Sequence, residues 1–189
     1  MAVEAELKAL VRDPEAVAEK LRELATEEPE TYRDVYFDRQ DDSITEADQE
    51  LRVREIESEN GIRALLTFKD EAVDKASDSK PEFETGVVDA TKMREIFGHL
   101  GYKVIITITK SCRNYRFESH GRSMLATLVT IPEADDTFIE VETQADHDDV
   151  KAALNDIRVV LTGLGIEESD LTNEKYTATV CRLRDEQEE

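Results

Sequence analysis

From Val3 to Ala9 apolar and charged residues alternate, the period of two that a strand with two unlike faces requires. A period near 3.6 replaces it at Asp13. Pro14 follows, and Val17, Leu21 and Leu24 fall on one stripe, so a helix is expected from Asp13 through Pro14 to Ala25. Alternating runs recur at Tyr32 to Asp38, Leu51 to Glu57 and Ile62 to Lys69, and Asn60-Gly61 between the last two predicts a tight hairpin. A second pass opens at Pro81, with a strand over Glu82 to Val88 and a helix over Asp89 to His99 closed by Gly101. Tyr102 to Ile108 begins a strand or strand pair continued by Lys110 to Glu118. Met124 to Ile131 and Thr137 to Thr143 are further strands, Asp146 to Leu164 a helix, and a short final strand is expected near Tyr176 to Leu183.

The order of a Glu-x-Glu strand, a helix and further strands is used twice. This hints at a duplication, with halves 1–75 and 80–189 inside one domain spanning 1–189. Many short strands with helices after only some of them predict an α+β fold, an antiparallel barrel or strongly curved sheet with helices packed outside. Asp70 to Lys80, rich in charge, Ser and Ala, reads as an exposed loop joining the halves.

Composition sharpens this picture. The 189 residues include 24 Lys and Arg against 45 Asp and Glu, a formal net charge of -21 spread along the whole chain. Such an excess suggests a halophilic surface, because at ~1 M salt the Debye length falls to about 3 Å and self-repulsion is screened. A merely acidic protein of a low-salt cell is the other reading. Either way nucleic acid is not expected as a partner, since a phosphate backbone needs a basic face. Cys112 and Cys181 stand apart from each other and from His99, His120 and His147, so neither a zinc site nor a disulfide framework is indicated. The acidic start and the lack of any run of ~18 apolar residues lead us to expect a soluble, cytoplasmic protein without a membrane partner. The three histidines fall at helix ends or turns and read as surface residues.

The candidate chemistry lies in the parity of charges within strands. Glu4, Glu6 and Lys8 share one face of the first strand, and Val3, Ala5 and Leu7 share the other. A solvated face would look the same in one strand. Elsewhere, however, the signs segregate: Arg52 and Arg54 flank Val53, Thr67 and Lys69 flank Phe68, Glu82 and Glu84 flank Phe83, and Glu140 and Glu142 flank Val141. If the apolar faces pack outward on helices, the charged faces line the interior, where each unpaired charge costs several kcal/mol, and a charged ligand is required. Paired carboxylates without His or Cys suit hard cations such as Mg²⁺ or Mn²⁺, and facing arginines and lysines suit phosphate oxygens. Tyr32, Tyr36, Phe68 and Phe83 sit at strand spacing and read first as core and only then as stacking surfaces for a base.

These residues carry a resemblance. Glu4-Ala5-Glu6-Leu7-Lys8 matches the E-x-E-x-K signature of the CYTH superfamily, the triphosphate tunnel metalloenzymes. Tyr36-Phe37-Asp38, Leu51-Arg52-Val53-Arg54, Thr67-Phe68-Lys69, Glu82-Phe83-Glu84, Lys110 with Tyr115, and Phe138-Ile139-Glu140-Val141-Glu142 are similar, in order, to the motifs that follow it. The Tyr-Phe-Asp strand and the Glu82-x-Glu84 spacing resemble the class IV adenylate cyclase branch. The resemblance implies a closed tunnel of eight antiparallel strands, with Lys8, Arg52, Arg54, Lys69 and Lys110 gripping phosphates and Glu4, Glu6, Glu140 and Glu142 serving Mg²⁺ or Mn²⁺. Glu82 and Glu84 are additional candidates, and Glu4, Glu6 and Lys8 are the catalytic ones.

Two positions depart from the family pattern. An arginine is usual two residues after the lysine, where this chain has Cys112. Three arrangements remain: a bulge turns Arg113 inward, Arg116 substitutes, or one phosphate ligand is missing. The bulge is favoured, because a cage short of one cation would hold a triphosphate poorly inside an acidic protein. The family's Leu-Asp pair is also replaced, in Leu125-Ala126-Thr127-Leu128. The implied activity is metal-dependent conversion of ATP to cyclic AMP and pyrophosphate. The alternatives are hydrolysis of inorganic, thiamine or nucleoside triphosphate, and a non-catalytic polyphosphate- or nucleotide-binding module. Monomer and homodimer both stay open.

Overall fold

The computed structural model describes residues 2–188. Strand β1 (Ala2–Val11) leads into α1 (Pro14–Leu24), whose first turn is capped by Asp13, accepting from the Ala16 amide at 3.1 Å. There follow β2 (Glu28–Asp38), the short α2 (Ser43–Glu46) and the hairpin of β3 (Glu50–Ser58) and β4 (Gly61–Lys69). The second run comprises β5 (Lys80–Val87), α3 (Ala90–His99), β6 (Lys103–Ser119), β7 (Arg122–Thr130), β8 (Thr137–Asp146) and α4 (Val150–Leu164). A two-residue strand, β9 (Leu171–Thr172), and α5 (Tyr176–Glu188) end the described chain.

The strands are hydrogen-bonded in the order β5-β4-β3-β2-β6-β7-β8-β1, and β1 pairs back to β5 through Val3 with Pro81 and Glu4 with Lys80. That seam closes an antiparallel barrel of eight strands with the five helices outside, so no long edge is left open. β9 lies beside the far part of β1, pairing Lys8 with Thr172. The outward face of β1 (Val3, Ala5, Leu7, Ala9) packs with Ile139 and Val141 of β8 under α1 and α4, through Leu21, Leu154 and Ile157. On the opposite wall Val35, Phe37 and Val53 pack beneath α2 and α3, where the Phe37 and Phe97 rings lie 5.0 Å apart. The apolar face of each strand is thus spent on the helices, and alternation turns the other face into the barrel.

The structure decides between two alternatives and corrects two expectations. Residues 103–119 form one 17-residue strand rather than a pair, with a single register shift against β2 at Tyr36/Phe37. The segment at Tyr176 is a helix and not a strand. Its β-branched residues favour extension, but the closed barrel offers no long edge to join, whereas a helix places Tyr176, Thr179 and Val180 on one buried stripe. The loop of residues 70–80 is not wholly exposed, because Ser79 and Lys80 are buried at the seam, Ser79 Oγ accepting from the Glu6 amide at 3.2 Å. No helix among the described residues is long and apolar enough to cross a membrane.

Candidate active site

The barrel encloses a cavity of about 380 Å³ lined by eight acidic and eight basic side chains. In a chain of net charge -21 this is a balanced enclosure, so the acidic surplus lies elsewhere. Strand parity brings Glu4, Glu6 and Lys8 of β1, Arg52 and Arg54 of β3, Lys69 of β4, Glu82 and Glu84 of β5, Lys110 and Arg116 of β6, and Glu140 and Glu142 of β8 into this one space.

At one end the carboxylates crowd. Glu6 faces Glu142 across the β1–β8 ladder, Glu4 lies two residues away on the same face, and oxygens of the three lie within 4.8 Å of one another. Burial pushes Glu6 up to about 8, with the charge of Glu140 adding to it, and raises Glu142 well above the carboxylate range with Glu4 and Glu6 adding to it. Glu4 goes the other way: burial opposes its ionisation, but the Lys69 ammonium outweighs it and holds the carboxyl at about 2. Lys69 Nζ donates to Glu4 and lies 3.4 Å from Glu82 and 3.9 Å from Glu6. One ammonium shared among these groups does not compensate all of them, and burial together with the crowding disfavours ionisation of Glu6 and Glu142. Three all-oxygen donors with no nitrogen or sulfur among them fit Mg²⁺ or Mn²⁺. Glu140 stands apart from the trio, opposite Lys8 in the ladder.

The facing wall is cationic. Arg54 is gripped by Asp34, a wholly buried residue of β2, with Lys110 Nζ 3.4 Å from the same carboxylate. Burial alone would raise Asp34, yet Arg54 and Lys110 hold it far below the usual range. Arg52 has no such counterpart. Its buried Nε lacks a hydrogen-bond partner, and it makes no ion pair within 4.0 Å among the described residues. A guanidinium nitrogen without a partner, in a cavity lined by equal numbers of acidic and basic side chains, has the chemistry to bind an anion. Lys8 donates to the Glu174 carbonyl, and its Nζ and that of Lys110 lie 4.4 and 4.0 Å from the centre of the Tyr176 ring.

Arg113 is not in the cavity, which corrects the expected bulge. The β6–β7 register is regular from Ser111 to Ser119, so alternation turns Arg113 outward, where its Nη2 lies 2.9 Å from Glu27 Oε2. Cys112 shares the inward face with Lys110 and is buried beside Tyr32, Ile56 and Val129. Arg116, with inward parity, lines the cavity rim. Asp38, of the Tyr-Phe-Asp strand, instead caps α2, accepting from the Ile44 and Thr45 amides at 2.9 and 3.0 Å. Tyr32 and Tyr36 line the cavity, whereas Phe68 and Phe83 pair with each other 6.4 Å apart. The three histidines are exposed.

Sequence reasoning missed several residues that line the cavity or brace its wall from behind. Asp34 was legible, lying between Tyr32 and Tyr36 on one face, but a lone aspartate carried no sign pattern. Glu50, Asp78 and Lys175 come from strand and loop ends. Lys175 Nζ lies 2.9 Å from Asp48 and 3.3 Å from Glu50, and buried Lys80 lies 3.1 Å from Asp48. This cluster ties the start of α5 to the cavity, and no local period announces it.

Comparison with known proteins agrees with this architecture. The CYTH domain model matches residues 2–176. The chain is 28% identical over 177 residues to a Methanocaldococcus jannaschii protein named "Putative adenylate cyclase", covering 92% of this chain and 96% of that protein. A solved Pyrococcus horikoshii structure is 25% identical with a TM-score of 0.81, covering 95% and 98% of the two chains. A Hippeastrum protein described as having a dominant triphosphatase activity shares the fold at 14% identity and a TM-score of 0.66, covering 98% and 96%.

Proposed function

The chain belongs to the CYTH domain family, and from that premise we propose that it is a divalent-metal-dependent enzyme acting on a nucleoside triphosphate in the manner of class IV adenylate cyclases. One observation carries this reading: a three-carboxylate cluster and a guanidinium with no ion-pair partner among the described residues line the same cavity. Glu4, Glu6 and Glu142 would hold Mg²⁺ or Mn²⁺, which supplies charge neutralisation and polarises the phosphate oxygens. Arg52, Arg54, Lys110, Lys69 and Lys8 bind the phosphates, and Asp34 keeps the Arg54 fork from turning. The ribose 3′-oxygen bonds to the α-phosphorus, the bond to the β-phosphate oxygen breaks, pyrophosphate leaves and the hydroxyl proton passes to water. The chain's contribution is positioning and electrostatic stabilisation of the charge that grows on the leaving pyrophosphate, without a covalent nucleophile.

The same cage serves a second reaction, in which water attacks the terminal phosphorus and phosphate is released. The triphosphatase described for the Hippeastrum relative supports keeping this reading. Incubation with ATP and Mn²⁺ separates the cases. Cyclic AMP with pyrophosphate is the expected product; phosphate release makes the chain a triphosphatase; unchanged ATP with measurable binding makes it a binding module and overturns the enzymatic reading.

A further inference from the structure

Beyond Glu142 the cavity runs into a second hollow of about 430 Å³, and Arg116, Leu125 and Glu142 line both. The three stand side by side across the sheet, since β6 pairs Arg116 with Leu125 and β7 pairs Leu125 with Glu142. One pleat further out on the same face lie Ser123 of β7 and Gln144 of β8, the latter opposite Glu4 on β1. The hollow therefore adjoins the carboxylate trio.

Its chemistry differs from that of the cage. The main cavity is lined chiefly by full charges, whereas the charged lining of the hollow is Arg116, Glu142 and Arg122, the last held by Asp149 and Asp156, and between them the hollow offers an aliphatic surface at Leu125, a hydroxyl at Ser123 and an amide at Gln144. Arg116 flanks it, half exposed and paired only loosely, 3.5 Å from an equally exposed Glu28. Such a pair contributes little and leaves the guanidinium plane able to turn. The Leu125 side chain, the neutral donors and acceptors of Ser123 and Gln144 beside it and a planar cation at the side suit a flat heteroaromatic ring, and the volume lies within the ~300–1,000 Å³ of small-molecule sites.

We propose that this hollow on Ser123, Leu125 and Gln144 is the subsite for the nucleoside of a nucleoside triphosphate, with Arg116 at the junction of ring and phosphates. The inference rests on the reading of the main cavity as a triphosphate site and assigns to the hollow the means of telling a nucleotide from inorganic triphosphate. It also fixes the ligand's direction, with the α-phosphate at the Glu142 end and the γ-phosphate toward Arg52 and Arg54.

Calorimetric titration of the protein in Mn²⁺ with inorganic tripolyphosphate and with ATP tests it. Ser123 and Gln144 are exposed, so Ser123→Trp fills the hollow and Gln144→Ala removes its amide without touching the core. Ser123→Trp is expected to weaken ATP about tenfold or more, in line with the ~1–3 kcal/mol that stacking of one base contributes, and to leave tripolyphosphate within about twofold. Gln144→Ala is expected to act in the same direction with a smaller effect. Equal losses for both ligands, or no loss for either, in variants that melt as the parent does, would overturn the subsite alone. A parent protein that binds neither ligand would remove the triphosphate reading beneath it.

Discussion

Asp34 and Arg54 meet as a two-pronged pair across the β2–β3 ladder, with Nε 2.6 Å from Oδ1 and Nη2 2.7 Å from Oδ2 and the carboxylate wholly buried. Such a fork aims one guanidinium edge at the cavity and prevents rotation about the other. Arg52, two residues away on the same face, has no equivalent, so the two arginines differ in rigidity.

Removing the Asp34 charge leaves Arg54 and Lys110 buried without their counter-ion, so Asp34→Asn should lower stability by about 3 kcal/mol or more in denaturant titrations. The pH dependence has a definite sign. The folded-state pKa is depressed, so the contribution is complete above the unfolded value near ~3.9 and is lost as pH falls through the folded one. Acid unfolding of Asp34→Asn should accordingly show a shallower stability loss below about pH 4 than the parent.

The carboxylate trio and the guanidinium wall should fail differently. Glu142→Gln relieves crowding with Glu4 and Glu6, so it should leave the metal-free fold at least as stable while weakening Mn²⁺ binding by about tenfold or more. Arg52→Ala should leave Mn²⁺ affinity near that of the parent and weaken tripolyphosphate by ~2 kcal/mol. Titrations of each ligand against each variant check the division, and parallel losses would contradict it.

Regular register at β6 gives a third expectation. Arg113→Ala should change tripolyphosphate affinity by less than about twofold and cost at most ~1 kcal/mol of stability, because it loses only the partly exposed contacts with Glu27 and Glu15. Cys112→Arg should instead destabilise strongly, since a guanidinium would replace a thiol packed among Tyr32, Ile56 and Val129. Melting curves alongside affinity measurements separate the two.

The net charge of -21 should make the fold depend on salt. Carboxylates outside the balanced cavity repel one another with few cations to offset them, so the melting midpoint should rise between ~0.1 M and ~2 M KCl. An unchanged midpoint would leave the acidic surface without a stabilising role for salt.

The sequence by itself determined which residues face inward, because alternation is a property of the extended backbone and needs no tertiary partner. Glu4 with Glu6, Arg52 with Arg54 and Glu140 with Glu142 could be placed on one face from spacing alone. Alternation also turned Arg113 outward, against the family pattern and the charge argument that favoured a bulge. Tertiary structure decided how those faces were arranged around the cavity and which charges were compensated. The β1–β8 register set Glu6 against Glu142, and the β2–β3 register gave Arg54 a partner in Asp34 while leaving Arg52 without one. It also decided the fate of Tyr176 to Leu183, whose local preference is a strand. With β1 and β5 already joined, no long edge remained to receive it, and a helix buried its apolar side chains against the barrel instead. Local spacing fixes the direction of a side chain, but its partner depends on registers set by residues tens of positions apart.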